Sequence, residues 1–374
     1  MNKIKSQNKL DENSEEEEDY NISPNFEYEE DIIDDAEIAY ALIDSFEAFM
    51  SKKDNKPYLI YQNKGNQKLE VLKVLKNKYK LVESIEGHKT KITSIKYFFN
   101  EYENIEYLIS SDYDGKILLT NITEDFKRQC LVKTTYNNGQ IICCLMIFRL
   151  IENIDFDIKK GIILMANKNL QNQDNQNCHT KVYILGENGD MNFYKNLNGN
   201  NLYNTSYILH WKNKKNNRDY IIDIGNRKVE VIGLTKNDLY FEFRTSLETW
   251  YHCGYIFCDK KKDRDLLFIT TIKSYLFVFD LNCKQTIKSI KTSQQTERLY
   301  GILPWNYNYI LIAGATSSDI KIIDINQIKY VGNIFIGHED DFRCIKKINH
   351  PKFGYCIMTG CDDSSIKLFK PKDI

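Results

Sequence analysis

Short apolar runs recur along this chain at a nearly constant interval, each closing on a small or polar residue. The closing positions are Lys73, Asn121, Gly186, Gly233, Asp280, Asp324 and Lys370. Their intervals are 48, 65, 47, 47, 44 and 46 residues, so one alone departs from a period of about 46. Within each period the order repeats: an apolar strand, a polar loop, two strands flanking a small or polar turn, and a further strand. One such four-stranded unit cannot bury its faces alone, so the units must stack around an axis. The pattern predicts an all-β chain folded as a seven-bladed β-propeller.

Two repeats carry sharper residues. In the second, Gly87-His88 precedes the strand Ile92 to Phe99, and a segment with Ser110, Asp112, Asp114 and Gly115 follows. In the seventh, Gly337-His338 precedes Phe342 to Ile348, followed by Thr359, Asp362 and Asp363. His88 lies 26 residues before Asp114, and His338 lies 25 before Asp363. This arrangement resembles the WD40 family over roughly residues 36–374. The resemblance implies that the His and the tight-turn Asp hydrogen-bond together with a strand Ser or Thr. His88, Ser110 and Asp114 would form one such set, and His338, Thr359 and Asp363 the other. A buried imidazole and carboxylate need each other as partners, and their pairing fixes the turn. No Trp-Asp dipeptide occurs; Thr120-Asn121, Phe279-Asp280 and Ile323-Asp324 stand in its place.

Blade boundaries follow from the period. Blade 1 is expected to start near Ile38 to Leu42 and to continue through Tyr58 to Ile60, Leu69 to Val71 and Leu81 to Ile85. Its first segment also reads as a helix, because Ile32, Ala36, Ala39, Ile43 and Phe46 fall at helical spacing; the match of the next loop and strand to the repeat favours a strand. Blade 3 should comprise Ile141 to Phe148, Gly161 to Met165, Lys181 to Leu185 and Met191 to Tyr194, with the Asn/Gln-rich stretch 167–179 accounting for the long interval. Blades 4, 5 and 6 should begin near Ser206, Tyr251 and Arg298. Four residues follow Lys370, too few for a last strand. In WD40 proteins that strand usually comes from the N-terminus, which here points to residues 24–35, after an acidic, disordered tail over 1–23.

Composition excludes several classes. No run approaches 18 apolar residues, so no membrane span is expected, and the N-terminus has no hydrophobic signal region. The ten cysteines show no CxxC pair; most lie in apolar strands, among them Cys143, Cys144 and Cys344, and read as small buried hydrophobes in a reducing compartment. His252-Cys253 lacks the second ligand pair that a closed zinc site needs. Asp112 to Gly115 lacks the later acid of a calcium loop. GxxxxGK[ST], GxSxG and HExxH are all missing, so no catalytic residue, metal or cofactor is expected.

Charge changes the picture. Residues 1–35 hold 13 acidic and 3 basic side chains, a net of −10, whereas the whole chain is −1; the remainder is therefore about +9. An acidic tail precedes a basic ring. Ser14, followed by Glu15 to Glu18, suits an acidophilic kinase. Lys212, Lys214, Lys215 and Arg218 fall in the first loop of blade 4, and Lys260, Lys261, Lys262 and Arg264 in the equivalent loop of blade 5. Equivalent loops of neighbouring blades share a face, so these charges should form one patch. The matching loops of blades 2 and 3 hold Glu101, Glu103, Glu106, Glu152, Asp155 and Asp157, which predicts a dipolar face.

Two functions compete. The WD40 resemblance implies a non-catalytic platform that binds other proteins within a multi-subunit assembly. The alternative is a nucleic-acid-associated subunit that sets the basic patch against phosphates. No membrane partner is expected, and the composition suits the cytoplasm, with the nucleus or a cytoskeletal structure equally compatible.

Overall fold

The computed structural model describes residues 26–33, 46–65, 67–101, 103–123, 133–136, 141–148, 162–168, 180–185, 191–197, 205–225, 227–236, 238–244, 249–314, 319–335, 337–338 and 340–372. Every regular element among them is a strand. In chain order, β1 (Phe26–Ile33) is followed by blade 1, β2 (Phe46–Met50), β3 (Pro57–Gln62), β4 (Leu69–Leu75) and β5 (Lys78–Ile85). Blade 2 is β6 (Ile92–Asn100), β7 (Ile105–Asp112), β8 (Lys116–Asn121) and β9 (Lys133–Tyr136). Blade 3 is β10 (Ile141–Phe148), β11 (Ile162–Lys168), β12 (Lys181–Leu185) and β13 (Met191–Asn196). Blade 4 is β14 (Thr205–Asn213), β15 (Arg218–Gly225), β16 (Val229–Gly233) and β17 (Leu239–Phe243). Blade 5 is β18 (Tyr251–Asp259), β19 (Arg264–Thr271), β20 (Tyr275–Asp280) and β21 (Gln285–Lys291). Blade 6 is β22 (Leu299–Pro304), β23 (Tyr309–Gly314), β24 (Asp319–Asp324) and β25 (Lys329–Phe335); β26 (Phe342–His350), β27 (Gly354–Cys361) and β28 (Ile366–Pro371) complete the chain.

These strands form seven four-stranded antiparallel sheets. The first strand of each sheet touches the first strand of the next, from β2 through β6, β10, β14, β18 and β22 to β26 and back to β2. A closed ring of sheets about a central channel is a β-propeller. The last sheet has the order β1-β28-β27-β26, so the chain's N-terminal strand lies at its rim. Phe26 faces Pro371 and Ile33 faces Ile366 across that pair. Phe26 also meets Trp305 of blade 6 edge-on, with ring centroids 4.6 Å apart, which ties the strand to the neighbouring sheet.

The burial pattern explains which strands stand out in the sequence. Second strands are sandwiched between adjacent sheets and read as continuous apolar runs; every residue of Pro57–Gln62 is buried. Rim strands face solvent and read as polar, as in Gln285–Lys291, where Ile290 alone is buried. The central layers use β-branched and aromatic side chains from two sheets at once: Trp211, Ile222 and Val231 of blade 4 pack with Leu267, Phe277 and Phe279 of blade 5. At Gly254 the sheets approach so closely that a Cβ would lie 2.6 Å from Ile224.

Blade 1 departs from the expectation. Its first strand is Phe46–Met50, and the Ile38 to Leu42 segment lies outside the described residues. Phe46, the last position of the helical stripe that the spacing offered as an alternative, is a fully buried strand residue packed with Leu59 and Tyr61. A short strand of Phe, Glu, Ala, Phe and Met carries too little alternation to compete with the longer stripe before it. Residues 1–23 and 169–179 also lie outside the described residues.

Candidate functional surface

The two His-centred sets differ in the source of their carboxylate. In blade 7, His338 bonds Thr359 Oγ1 through Nε2 at 2.7 Å and Asp363 Oδ2 through Nδ1 at 3.0 Å. Asp363 also accepts from the Ser365 backbone and hydroxyl. Burial pushes the Asp363 carboxyl up, but the bonds from His338 and Ser365 outweigh it and hold the group well below the usual carboxylate range. In blade 2, His88 Nε2 lies 2.8 Å from Ser110 Oγ, and Nδ1 lies 2.8 Å from Asp112 Oδ2. The expected partner Asp114 is therefore displaced. It is exposed in the turn, and its backbone N–H donates to Asp112. Asp112 closes the second strand with its side chain buried, so it reaches the imidazole from inside the sheet while its other oxygen caps the N–H groups of Asp114 and Lys116. Blade 7 has Cys361 at that strand-end position, which leaves the turn acid to do the pairing.

Ligand atoms of His338, Cys361 and Asp363 lie within 4.8 Å of one another. An ion there would have to displace the His338–Asp363 bond and ionise Cys361, whose thiol burial pushes up to about 12. The arrangement is a hydrogen-bonded turn rather than a donor set aimed at a metal. Burial likewise pushes the Cys356 thiol up to about 12, so it is not a thiolate near neutrality. Cys258 and Cys283 are exposed, unlike the buried Cys144, Cys253, Cys344, Cys356 and Cys361.

The basic loops lie on the face formed by first-to-second and third-to-fourth strand connections. Each is a tight turn that ends in a left-handed residue just before the second strand: Asn217 at φ 53° in blade 4 and Asp263 at φ 46° in blade 5. Asn104 holds the same place in blade 2 at φ 55°. Asn and Asp tolerate that region because their short side chains bond locally. Lys215 N–H donates to Asn213 Oδ1, and Lys262 N–H to Asp259 Oδ1, so both loops are clamped from their entry strand.

The two loops touch. Lys215 Nζ donates to the Asp263 carbonyl at 2.9 Å and lies 3.1 Å from its carboxylate. Beneath them, buried Trp211 donates its indole N–H to Asp265 at 2.8 Å across the blade boundary. Lys212, Lys214, Lys215, Arg218, Lys260, Lys261 and Lys262 are exposed; Arg264 is half-buried and paired with Asp259 at 3.2 Å.

Two more cations join from the neighbouring third-to-fourth turns. Exposed Lys236 belongs to blade 4, and Lys284 of blade 5 places its ammonium 3.7 Å from the Tyr240 ring centroid. Lys236 borders a cleft of about 360 Å³ with Arg218, Asp219, Tyr220, Asp238 and Tyr240. Asp219 already accepts from His210 Nε2 at 2.6 Å. The sequence hid this part because the loops belong to different strands of the repeat and converge only in space.

The acidic half of the expected dipole is smaller than its sequence suggests. Glu106 is buried and accepts from Ser51 Oγ, Lys52 N–H and Tyr97 OH, which joins blade 2 to blade 1. Glu103 bonds Asn100, and Glu101 is exposed. Glu152, Asp155, Asp157 and Ser14 lie outside the described residues. Among the described residues no helix is long and apolar enough to cross a membrane.

Residues 79–121 and 329–370 match the family model for the WD domain, G-beta repeat. Each matched segment runs from a rim strand through the next sheet's Gly-His pair to the end of its third strand. No curated protein matches the chain.

Proposed function

We propose that this chain, a WD40-repeat β-propeller by its fold and its two matching repeats, is a non-catalytic docking platform whose contact surface for other proteins is the basic face of blades 4 and 5. Propellers of this kind generally mediate protein–protein interaction. The observation that carries the reading is the Lys215–Asp263 contact, which merges two loops of like charge into one surface. Such a patch favours an acidic partner and speeds its encounter. Each His in the two sets is hydrogen-bonded through both ring nitrogens to its own blade, which holds the turn.

A second reading, contact with nucleic acid, is favoured by lysines set against aromatic rings on the same face. Lys284 lies over Tyr240, and Lys347 lies 4.3 Å from the exposed ring of Tyr355. That pairing of cation and ring suits stacked bases and phosphates.

Affinity purification of the tagged protein, with and without nuclease, decides between them when run beside a variant with Lys212, Lys214, Lys215, Lys260, Lys261 and Lys262 changed to Gln. Partners that survive nuclease but leave the variant support the platform. Partners lost to nuclease support the second reading. Partners indifferent to both treatments move the contact surface elsewhere on the ring.

A further inference from the structure

We propose that the basic loops of blades 4 and 5 are the docking site of the chain's own acidic segment, residues 11–19. The proposal rests on the basic face being a contact surface, and it names the ligand that occupies that face first.

Three observations converge. The first is where the segment enters. Phe26 pairs with Pro371, at the end of the third strand of its blade, and so lies on the face that carries the first-to-second strand loops. Loops 214–217 and 260–263 open onto that same face. The acidic segment therefore departs on the side of the ring where the cations are.

The second is reach. Asp19 precedes Phe26 by 7 residues and Asp11 by 15. An extended chain spans about 3.4 Å per residue, so these carboxylates reach about 25 to 50 Å from the rim. Blades 4 and 5 are three and two sheets away around the ring. The path crosses a few strand spacings of about 4.8 Å plus the channel, on the order of 30 Å in all. The run Glu15 to Glu18 falls inside that range.

The third is complementarity. Residues 11–19 contain Asp11, Glu12, Glu15, Glu16, Glu17, Glu18 and Asp19 and no cation. Across from them stand exposed Lys212, Lys214, Lys236, Lys260, Lys261 and Lys262, none of which is in an ion pair with a carboxylate among the described residues. Tethering raises the segment's effective concentration to the millimolar range, so a weak contact is populated without high intrinsic affinity. The tail competes with any acidic partner, and a phosphate on Ser14 would strengthen it as a competitor.

The test uses the full chain. Carbodiimide, which joins carboxylates to amines without a spacer, should link residues 11–19 to Lys212, Lys214, Lys215, Lys236 or Lys260 to Lys262. In a mixture of isotopically heavy and light protein these links should stay within one chain, and they should vanish in 1 M salt, where the screening length is about 3 Å. In parallel, polyglutamate should bind a full-length variant with Glu12 and Glu15 to Glu18 changed to Gln about tenfold more tightly than the unaltered chain. Links confined to other lysines, links between heavy and light copies, or equal polyglutamate affinities would each overturn the proposal. Equal but measurable affinities leave the basic face as a contact surface, whereas no binding to either chain removes that reading too.

Discussion

His88 and Asp112 form a buried pair 2.8 Å apart, with Asp112 standing two residues before the turn acid that the repeat would use. One carboxylate oxygen holds the imidazole while the other caps two backbone N–H groups of the turn. Removing it leaves the buried imidazole without its Nδ1 partner and uncaps two part-buried backbone N–H groups. Asp112→Ala should cost about 2–4 kcal/mol. Asp114→Ala, at an exposed position that contributes its backbone N–H to the same cap, should stay within about 0.5 kcal/mol. Urea midpoints of the two variants check this, and a larger loss for Asp114→Ala would reverse the assignment.

Stability should fall as pH drops from 7.5 to 5. Burial holds the imidazoles of His88 and His210 below the usual histidine value of 6.5, and their bonds to Asp112 and Asp219 do not restore it. A histidine depressed in the folded state binds fewer protons there than in the unfolded chain. Its contribution is thus complete above about 6.5 and is lost as pH falls through the lower folded value. The loss should appear as a lower denaturation midpoint at pH 5 than at pH 7.5. Asp363 acts lower down: its contribution is present above 3.8 and fades beneath it. Denaturation midpoints at stepped pH should show both limbs, with His88→Gln and His210→Gln together flattening the upper one. An upper limb unchanged in that double variant would assign the slope to other groups.

The period was legible because second and third strands are buried on both sides. Runs such as Tyr220 to Ile222 and Leu266 to Ile269 have little freedom to be polar. Rim strands, free to be polar, were not. Neither was Phe46–Met50, whose five residues carry a glutamate that bonds Lys346 of blade 7. The His sets were legible in residue type but not in partner, since a histidine 24 or 26 residues before an acid looks the same until the turn is built. The basic patch was half visible. Two loops at equivalent positions show in sequence, but the approach of Lys284 to Tyr240 depends on adjacent sheets. Glu106 misled for the opposite reason: read as a loop acid, it is the second residue of β7, a strand buried along nearly its whole length.

The N-terminal strand should behave as a structural element and the segment before it should not. Phe26 is buried against Trp305, and Lys370 pairs with Glu29 at 2.7 Å. Without β1, the edge of β28 and the faces of Phe369 and Trp305 would meet solvent. Phe26→Ala should cost about 3 kcal/mol. Deletion of residues 1–33 should leave an aggregating or loosely folded ring, whereas deletion of 1–20 should leave the thermal midpoint within about 2 °C. Matching midpoints for the two truncations would remove β1 from the fold's support.

Trp211 and Asp265 offer a test that joins stability to surface chemistry. The indole is 1% exposed, and its N–H reaches across the boundary between blades 4 and 5 directly beneath the two basic loops. Trp211→Phe removes the donor and leaves the Asp265 carboxylate short of a partner. Asp265→Ala leaves the indole N–H buried and unpaired. Each change should cost about 1–3 kcal/mol. The double variant should cost less than the two costs added, with a coupling of about 1–2 kcal/mol, because the bond can be lost only once. The same pair fixes the spacing of the loops that carry Lys215 and Asp263. Elution from an anionic column should therefore move to lower salt in Trp211→Phe, which leaves every charge in place. Strict additivity in stability would make the indole a packing residue alone. An unchanged elution salt would separate the loops' arrangement from the bond beneath them.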